Sequence, residues 1–289
     1  MNKTTKLLSL IRAPKLLVMP AAYDAVSAKL IEEAGYDAVQ CSGLGIALSR
    51  WGLPDVSVVS MGEMAECTRV IARSVALPVM ADGDTGYGNV VNTWYTVREF
   101  EAAGAAGINL EDQILPKRCG RLAGKELVSC AEMVEKIHAA VDAKGDPDFV
   151  INARSDALSL FGIEEVINRG NAYIEAGASM FFVEGLRSRE EIQAVVRNVQ
   201  GPIAMNLMED ETGSGLQGIT IAELESLGIA RVSLSVTTLL AAMRGIQRAL
   251  ETVKQLDTTR FDPALHASFQ HAHQLAGMNH VETLTKAFG

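Results

Sequence analysis

Three carboxylates stand at the ends of two neighbouring apolar runs in this sequence. Asp82 and Asp84 follow one short run that is typical of a strand, and Glu111 closes the next one. Acids brought to one place repel one another unless a cation or a proton intervenes. Mg²⁺ binds oxygen ligands, keeps several waters and needs only one or two direct carboxylates. The pattern therefore favours a divalent cation, although acids at strand ends also occur as N-caps of the following helices.

A cationic loop that contains a cysteine comes shortly after Glu111. Its residues are Pro116-Lys117-Arg118-Cys119-Gly120-Arg121-Leu122-Ala123-Gly124-Lys125. Neighbouring positive charges lower the pKa of a thiol, and the same loop could close over an anion. We interpret Cys119 as a reactive thiol, and the alternative is a solvent-exposed basic loop in which the cysteine is incidental. The other three cysteines are widely spaced without a CxxC pair, so a disulfide scaffold or a structural zinc site is not expected.

Histidine is missing from the predicted strand ends. His138 falls within a predicted helix, and the other four histidines lie in the C-terminal region. A Ser-His-Asp triad needs a histidine base beside its nucleophile, and catalytic zinc usually has at least one histidine ligand. Both kinds of chemistry are therefore disfavoured, unless a C-terminal histidine reaches the site from a neighbouring subunit.

Eight short apolar runs alternate with amphipathic helical segments, and they must position these residues. Strands buried on both faces have this composition, and a strand–helix unit repeated eight times predicts a (β/α)8 barrel. The predicted strands are 17–20, 38–42, 78–82, 107–111, 149–154, 180–184, 203–207 and 231–235. Because active sites of such barrels gather at the carboxyl ends of the strands, the polar residues there are site candidates. They are Ser42, Gly43, Asp55, Asp82, Asp84, Glu111, Asp112, Gln113, Arg154, Ser155, Asp156, Glu184, Asn206 and Glu209.

The predicted barrel accounts for most of the chain as a single domain of residues 1–289. It extends from about residue 16 to about residue 253, and residues 257–289 have helical periodicity without a strand. We expect this extension to consist of additional helices that pack on the barrel or on a neighbouring subunit.

The overall composition is that of an acidic globular protein. The chain has 289 residues, with 26 Lys and Arg against 35 Asp and Glu, so its formal net charge is −9. Binding of nucleic acid needs basic patches that neutralise phosphates, so no nucleic-acid partner is expected. No apolar run approaches the roughly 18 residues that cross a bilayer, and the apolar patch at residues 16–19 is too short for a signal peptide. We therefore expect a cytoplasmic protein without a membrane partner.

Five motifs lie at or after the ends of the predicted strands. They are Pro20-Ala21-Ala22-Tyr23-Asp24-Ala25, Gly52-Leu53-Pro54-Asp55, Asp82-Gly83-Asp84-Thr85-Gly86-Tyr87-Gly88-Asn89, Glu111-Asp112-Gln113 and Lys117-Arg118-Cys119-Gly120. With these motifs the chain resembles the isocitrate lyase/phosphoenolpyruvate mutase superfamily, and within it the 2-methylisocitrate lyase-like branch, from about residue 16 to about residue 253. The resemblance implies a (β/α)8 barrel whose last helix is swapped with a neighbouring subunit, usually in a homotetramer.

The resemblance also implies a metal-dependent reaction of 2-oxo or 2-hydroxy acids. It assigns Mg²⁺, with Mn²⁺ as the alternative, to Asp82, Asp84 and Glu111, with Asp55 nearby. The substrate would be a small di- or tricarboxylate, and in lyases the residue that matches Cys119 protonates the leaving carbon as a general acid. The base is open between Tyr23, Glu184 and a metal-bound hydroxide. The residues implied in substrate binding are Ser42, Gly43, Arg154, Asn206, Glu209, Lys117, Arg118, Gly120 and Arg121.

Two departures from the lyase pattern narrow the expected substrate. Arg121 stands where lyases usually have histidine, and Asp210 and Glu211 make acidic a loop that is neutral or basic in lyases of tricarboxylates. A third substrate carboxylate there would meet like charges, which lower affinity. We therefore predict retro-aldol cleavage of a 2-alkylmalate such as 2,3-dimethylmalate into propionate and pyruvate, although Arg121 could itself bind a carboxylate.

Other activities remain as alternatives. Within the lyase class they are 2-methylisocitrate lyase and oxaloacetate decarboxylase or hydrolase. A second class is phosphonomutase chemistry on carboxyphosphoenolpyruvate or phosphoenolpyruvate, and a third is a barrel that binds acids without catalysis.

Overall fold

Eight parallel strands form a closed barrel, as the alternating pattern predicts. A computed structural model describes residues 1–120, 123–207, 216, 218–257 and 262–289. Each strand pairs with the next along the chain, and β8 pairs with β1. The strands are β1 Leu17–Ala22, β2 Val39–Cys41, β3 Val79–Asp82, β4 Gly107–Glu111, β5 Val150–Ser155, β6 Met180–Val183, β7 Ile203–Asn206 and β8 Arg231–Leu234.

Helices connect the strands, and short additional helices lie among them. The main helices of the first seven units are α2 Ala25–Glu33, α4 Met61–Ser74, α5 Val90–Ala102, α6 Cys130–Ala143, α8 Ile163–Glu175, α9 Arg189–Asn198 and α10 Ile221–Ser226. The additional ones are α1 Lys3–Arg12, α3 Gly43–Ile46, a π-helix at Ala47–Trp51 and α7 Leu158–Phe161, none of which the sequence analysis predicted. Three described helices follow β8, namely α11 Thr237–Leu256, α12 Phe269–Leu275 and α13 Met278–Phe288. The prediction of a (β/α)8 barrel with C-terminal helices is therefore confirmed.

The apolar core has two parts, which reflect the two faces of each strand. A large cluster lies between strands and helices and includes Ile71, Phe100, Ile137 and Phe149. A smaller cluster contains residues at or near the strand starts, among them Met80 and Met180. Leu7 and Ile11 of α1 join this smaller cluster and are fully buried. α1 therefore covers the amino-terminal end of the barrel, and the carboxyl ends of the strands are left for a site.

The chain divides into two compact units. The first is Met1–Thr237 and contains the whole barrel, and the second is Thr238–Gly289. Within the second unit the ring of Phe269 meets that of His273 edge-on, with centroids 4.6 Å apart. None of the described helices is long and apolar enough to cross a membrane.

Candidate active site

Four acids gather at the carboxyl end of the barrel. Asp82 and Glu111 are the last residues of β3 and β4, Asp84 lies two residues beyond Asp82, and Asp55 lies in the loop after the π-helix. The Nζ atom of Lys117 is 2.8 Å from Oδ1 of Asp55 and 2.8 Å from Oδ1 of Asp84. Asp82 accepts hydrogen bonds from the backbone amides of Gly43 (3.1 Å) and Asp84 (3.2 Å). The structure thus brings the predicted acids together around a buried lysine.

Burial and mutual repulsion set the charge state of this acid cluster. Burial raises the pKa of Asp84, although the ammonium of Lys117 opposes that shift. Burial likewise raises the pKa of Glu111 against the opposing charge of Arg154. For Lys117 burial alone would lower the pKa, but Asp84, Glu111 and their neighbours hold it well above its ordinary value. The site therefore has a surplus of carboxylates that added positive charge would stabilise.

The acid cluster suits a hard divalent cation in its chemistry. No group of three or more His, Cys, Asp or Glu side chains among the described residues is arranged to hold a metal, and Lys117 contacts two of the four acids. Mg²⁺ nevertheless needs only one or two protein carboxylates, because water and substrate oxygens complete its shell. Asp82 meets this requirement, since it is partly exposed at the barrel mouth and accepts backbone amides.

Arg154 lies at the centre of the mouth, near the end of β5. In the barrel register it is the direct neighbour of Glu111 on β4. Its Nε and Nη2 atoms donate to Asp156 at 2.8 and 3.1 Å, and its guanidinium also lies 3.4 Å from Glu111 and 3.5 Å from Glu184. This planar fork, surrounded by acids, is suited to hold a substrate carboxylate.

The cysteine loop lies over Arg154. A Cβ atom added to Gly120 would be 2.7 Å from Nη2 of Arg154 and 2.7 Å from Cδ of Glu184. Cys119, the preceding residue, is partly exposed. Gln113 fixes the other side of Cys119, because its side-chain amide accepts from the backbone N–H of Arg118 and donates to the carbonyl of Arg118, both at 2.9 Å.

Ser42 and Gly43 lie at the mouth at the end of β2. The Ser42 hydroxyl donates to the carbonyl of Ser235 at 3.0 Å and accepts from the amide of Gly45 at 3.1 Å, where it caps α3. The amide of Gly43 is engaged by Asp82, and a Cβ at Gly43 would clash with that carboxylate. Glycine is therefore needed here, because the backbone approaches an acid of the site.

The two side chains predicted as bases have different surroundings. Glu184 is buried just beyond β6, and it accepts a hydrogen bond from Asn206 at 3.1 Å. Burial raises the pKa of Glu184 and so brings that pKa nearer to neutral pH. Burial, helped by Asp24, also raises the pKa of Tyr23, so its phenolate is disfavoured.

Three of the predicted site residues have no described contact with the acid cluster or with Arg154. Arg118 is exposed and donates to the carbonyl of Ala123 at 3.1 Å. Arg121 and Glu209 lie outside the described residues, as do Asp210 and Glu211 of the acidic loop.

Three residues to which the sequence pattern assigned no role also join the site. The carboxylate of Asp156 accepts hydrogen bonds from Arg154 and, at 2.9 Å, from the ammonium of Lys125. Gln113 makes hydrogen bonds to the backbone of the cysteine loop and donates to Glu111 at 3.1 Å. Asp156 and Gln113 follow predicted strands and Lys125 ends the cationic loop, so their positions in the sequence pointed to the barrel mouth. Their contacts depend on how the loop folds back, which residue spacing does not specify.

Comparison with known proteins gives the family. Residues 7–254 match the family described as phosphoenolpyruvate phosphomutase. The chain belongs to this family. A 2,3-dimethylmalate lyase from Eubacterium barkeri is 39% identical over 281 residues, which cover 97% of this chain and 96% of that protein. A probable 2-methylisocitrate lyase from Corynebacterium glutamicum is 42% identical over 85% of this chain and 80% of its own length.

A solved structure of the family adds a ligand. Phosphonopyruvate hydrolase in complex with oxalate and Mg²⁺ is similar with a TM-score of 0.89 and 31% identity, over 100% of this chain and 99% of that one. The resemblance to the superfamily is therefore confirmed, and so is the prediction of a carbon–carbon lyase, since relatives that cover nearly all of the chain are named lyases.

Proposed function

We propose that this phosphoenolpyruvate phosphomutase family member cleaves a 2-alkylmalate, with 2,3-dimethylmalate as the best candidate, to pyruvate and propionate. The observation that carries the proposal is the position of the cysteine loop. Gly120 lies against Arg154 and Glu184, which brings the Cys119 backbone to the arginine that is suited to a substrate carboxylate. A thiol beside a bound acid can deliver a proton to a carbon of that acid.

A divalent cation, Mg²⁺ or Mn²⁺, is part of the proposal. Asp82 would hold it directly, and Asp84, Glu111 and Asp55 would surround it. The cation would supply Lewis-acid stabilisation of negative charge on the substrate carboxylate and the C2 oxygen. The surplus of buried acids supports this, as does the Mg²⁺ in the phosphonopyruvate hydrolase complex.

The chain's own residues would then carry the proton transfers. Arg154 orients the C1 carboxylate, and a base takes the proton of the C2 hydroxyl. The C2–C3 bond breaks, C2 becomes the carbonyl of pyruvate, and the electron pair moves into the departing carboxylate as an enediolate. Cys119 donates its proton to C3 and gives propionate. Glu184 suits the base better than Tyr23, because its raised pKa lies nearer to neutral pH.

The choice of substrate rests on sequence relationship and charge. The 2,3-dimethylmalate lyase of Eubacterium barkeri matches almost the full length of both chains, whereas the probable 2-methylisocitrate lyase matches 85% of this one. The acidic residues Asp210 and Glu211 disfavour a third carboxylate. 2-Methylisocitrate is the second candidate, because that relative has the higher identity of 42%.

Pyruvate release separates these activities. The purified protein is incubated with Mg²⁺ and, in turn, with 2,3-dimethylmalate, 2-methylisocitrate, oxaloacetate and phosphonopyruvate, and pyruvate is followed with a coupled lactate dehydrogenase. We expect fast release from 2,3-dimethylmalate, complete loss with EDTA and recovery with added Mg²⁺ or Mn²⁺. A Cys119→Ser variant should lose about 100- to 10,000-fold in kcat, and Cys130→Ser serves as the matched control. Release from 2-methylisocitrate alone would overturn the substrate assignment.

A further inference from the structure

Two tethers fix the backbone on either side of Cys119. On one side, Gln113 makes two hydrogen bonds to the backbone of Arg118. On the other side, the Lys125 ammonium donates to the carbonyl oxygen of Gly120 at 2.7 Å. Both tethers end on residues of the barrel mouth, because Gln113 also donates to Glu111 and Lys125 also donates to Asp156.

Asp156 is the anchor that joins the Lys125 tether to Arg154. Its carboxylate accepts Nε and Nη2 of Arg154 at 2.8 and 3.1 Å and Nζ of Lys125 at 2.9 Å. Its own backbone amide donates to the buried Asp112 at 3.0 Å, which prevents the anchor from shifting. Arg154 and Lys125 together hold the pKa of Asp156 below its ordinary value, although its burial would raise it, so the anchor stays ionised.

The backbone of Gly120 has little room to move. Gly120 packs against the Arg154 guanidinium and the Glu184 carboxylate without room for a Cβ atom. Because Cys119 directly precedes Gly120, a shift of the Gly120 carbonyl away from Lys125 would also move the Cys119 backbone relative to Arg154. The side chain of Lys125 is only 7% exposed, and that of Asp156 is fully buried, so water competes little for either contact.

We propose that Lys125 is a positioning residue of the reaction, which through Asp156 holds Cys119 in register with the substrate carboxylate on Arg154. This inference rests on the proposed function, in which Cys119 is the proton donor. Its physical basis is that a misplacement of about 1 Å of a reacting group can lower a rate by about 100-fold. Lys125 itself need not contact the substrate.

The test measures the position of Cys119 separately from substrate binding and from turnover. Lys125→Met removes the ammonium and keeps the chain length, Lys125→Arg restores a donor with a charge, and Lys144→Met is the matched control. Lys144 also donates to a backbone carbonyl, that of Pro147 at 2.8 Å, but does so on the exposed surface. Each variant is treated with iodoacetamide, and the alkylation rates of Cys119 and Cys130 are measured by peptide mass mapping.

The expected result is a faster alkylation of Cys119 in Lys125→Met by about 3- to 10-fold, with Cys130 unchanged and Lys125→Arg close to the wild type. With a substrate that the wild-type protein cleaves, Lys125→Met should lower kcat by about 10- to 100-fold while KM stays within about threefold. An unchanged alkylation rate of Cys119 would overturn the proposal, and so would a change in KM alone. If Lys125→Met fails to fold, Lys125→Gln takes its place. If the wild-type protein cleaves none of the substrates, the alkylation rates still decide the positioning role.

Discussion

At the scale of single residues, Asp112 forms hydrogen bonds that hold Ser155 and Asp156, which follow Arg154 in the chain. Its buried carboxylate accepts the Ser155 hydroxyl at 2.7 Å, the Tyr173 hydroxyl at 2.9 Å and Arg169 at 3.0 Å. Burial raises the pKa of Asp112, but the Ser155 hydroxyl, the backbone amide of Asp156 and the Arg169 charge oppose that shift. A buried ion pair contributes little in total, whereas removal of one partner leaves the other charge buried without compensation.

We predict that Asp112→Ala lowers the free energy of unfolding by about 3–5 kcal/mol, because Arg169 then loses its fully buried counter-ion and the Ser155 and Tyr173 hydroxyls lose their acceptor. Glu165→Ala is the matched control. It removes the other carboxylate that contacts Arg169, at 2.7 Å, but that side chain is 30% exposed and should contribute about 1 kcal/mol or less. Urea unfolding followed by circular dichroism measures both. Equal losses from the two variants would contradict this account.

At the scale of elements, the sequence predicted the strands and helices that follow from hydrophobic periodicity. It did not predict the features that depend on tertiary contacts. The eight strands are buried on both faces, and their apolar runs therefore gave the barrel and placed Glu111 and Arg154 at its mouth as register neighbours. α1 was missed because it precedes the first strand, outside the strand–helix alternation, and because its apolar residues all lie between Leu7 and Ile11, which is less than two helical turns. The contacts of Lys117 with Asp55 and Asp84 were also missed, because they depend on the path of a loop.

α1 offers an element-scale prediction. Leu7 is fully buried in the cluster at the amino-terminal end of the barrel, and Leu8 packs against that cluster while partly exposed. We predict that Leu7→Ala lowers the free energy of unfolding by about 2–5 kcal/mol, since it removes buried methyl groups and leaves a cavity. Leu8→Ala should cost less than half as much. The two urea midpoints are compared, and an equal loss would mean that α1 does not close the barrel.

At the scale of the whole molecule, the second compact unit has several large apolar side chains that are exposed. On α11, Met243, Ile246, Leu250 and Val253 follow one another at spacings of three and four residues, and each is at least 36% exposed. That spacing places the four side chains on one face of the helix, as in the seam of a coiled coil. Exposed stripes of this kind mark surfaces that bind another protein.

The superfamily resemblance implies a homotetramer, and we predict that a second copy of the chain covers the α11 stripe in it. Light scattering after size exclusion should then give about four times the 30.9 kDa mass of one chain. Leu250→Asp should shift the protein to a smaller species, because it introduces a charge at a residue that is 66% exposed on the stripe in one chain. Gln255→Asp introduces the same charge on the opposite face of α11, where the side chain is also exposed, and should leave the mass unchanged. A wild-type monomer, or equal effects of the two variants, would show that the stripe does not hold the assembly together.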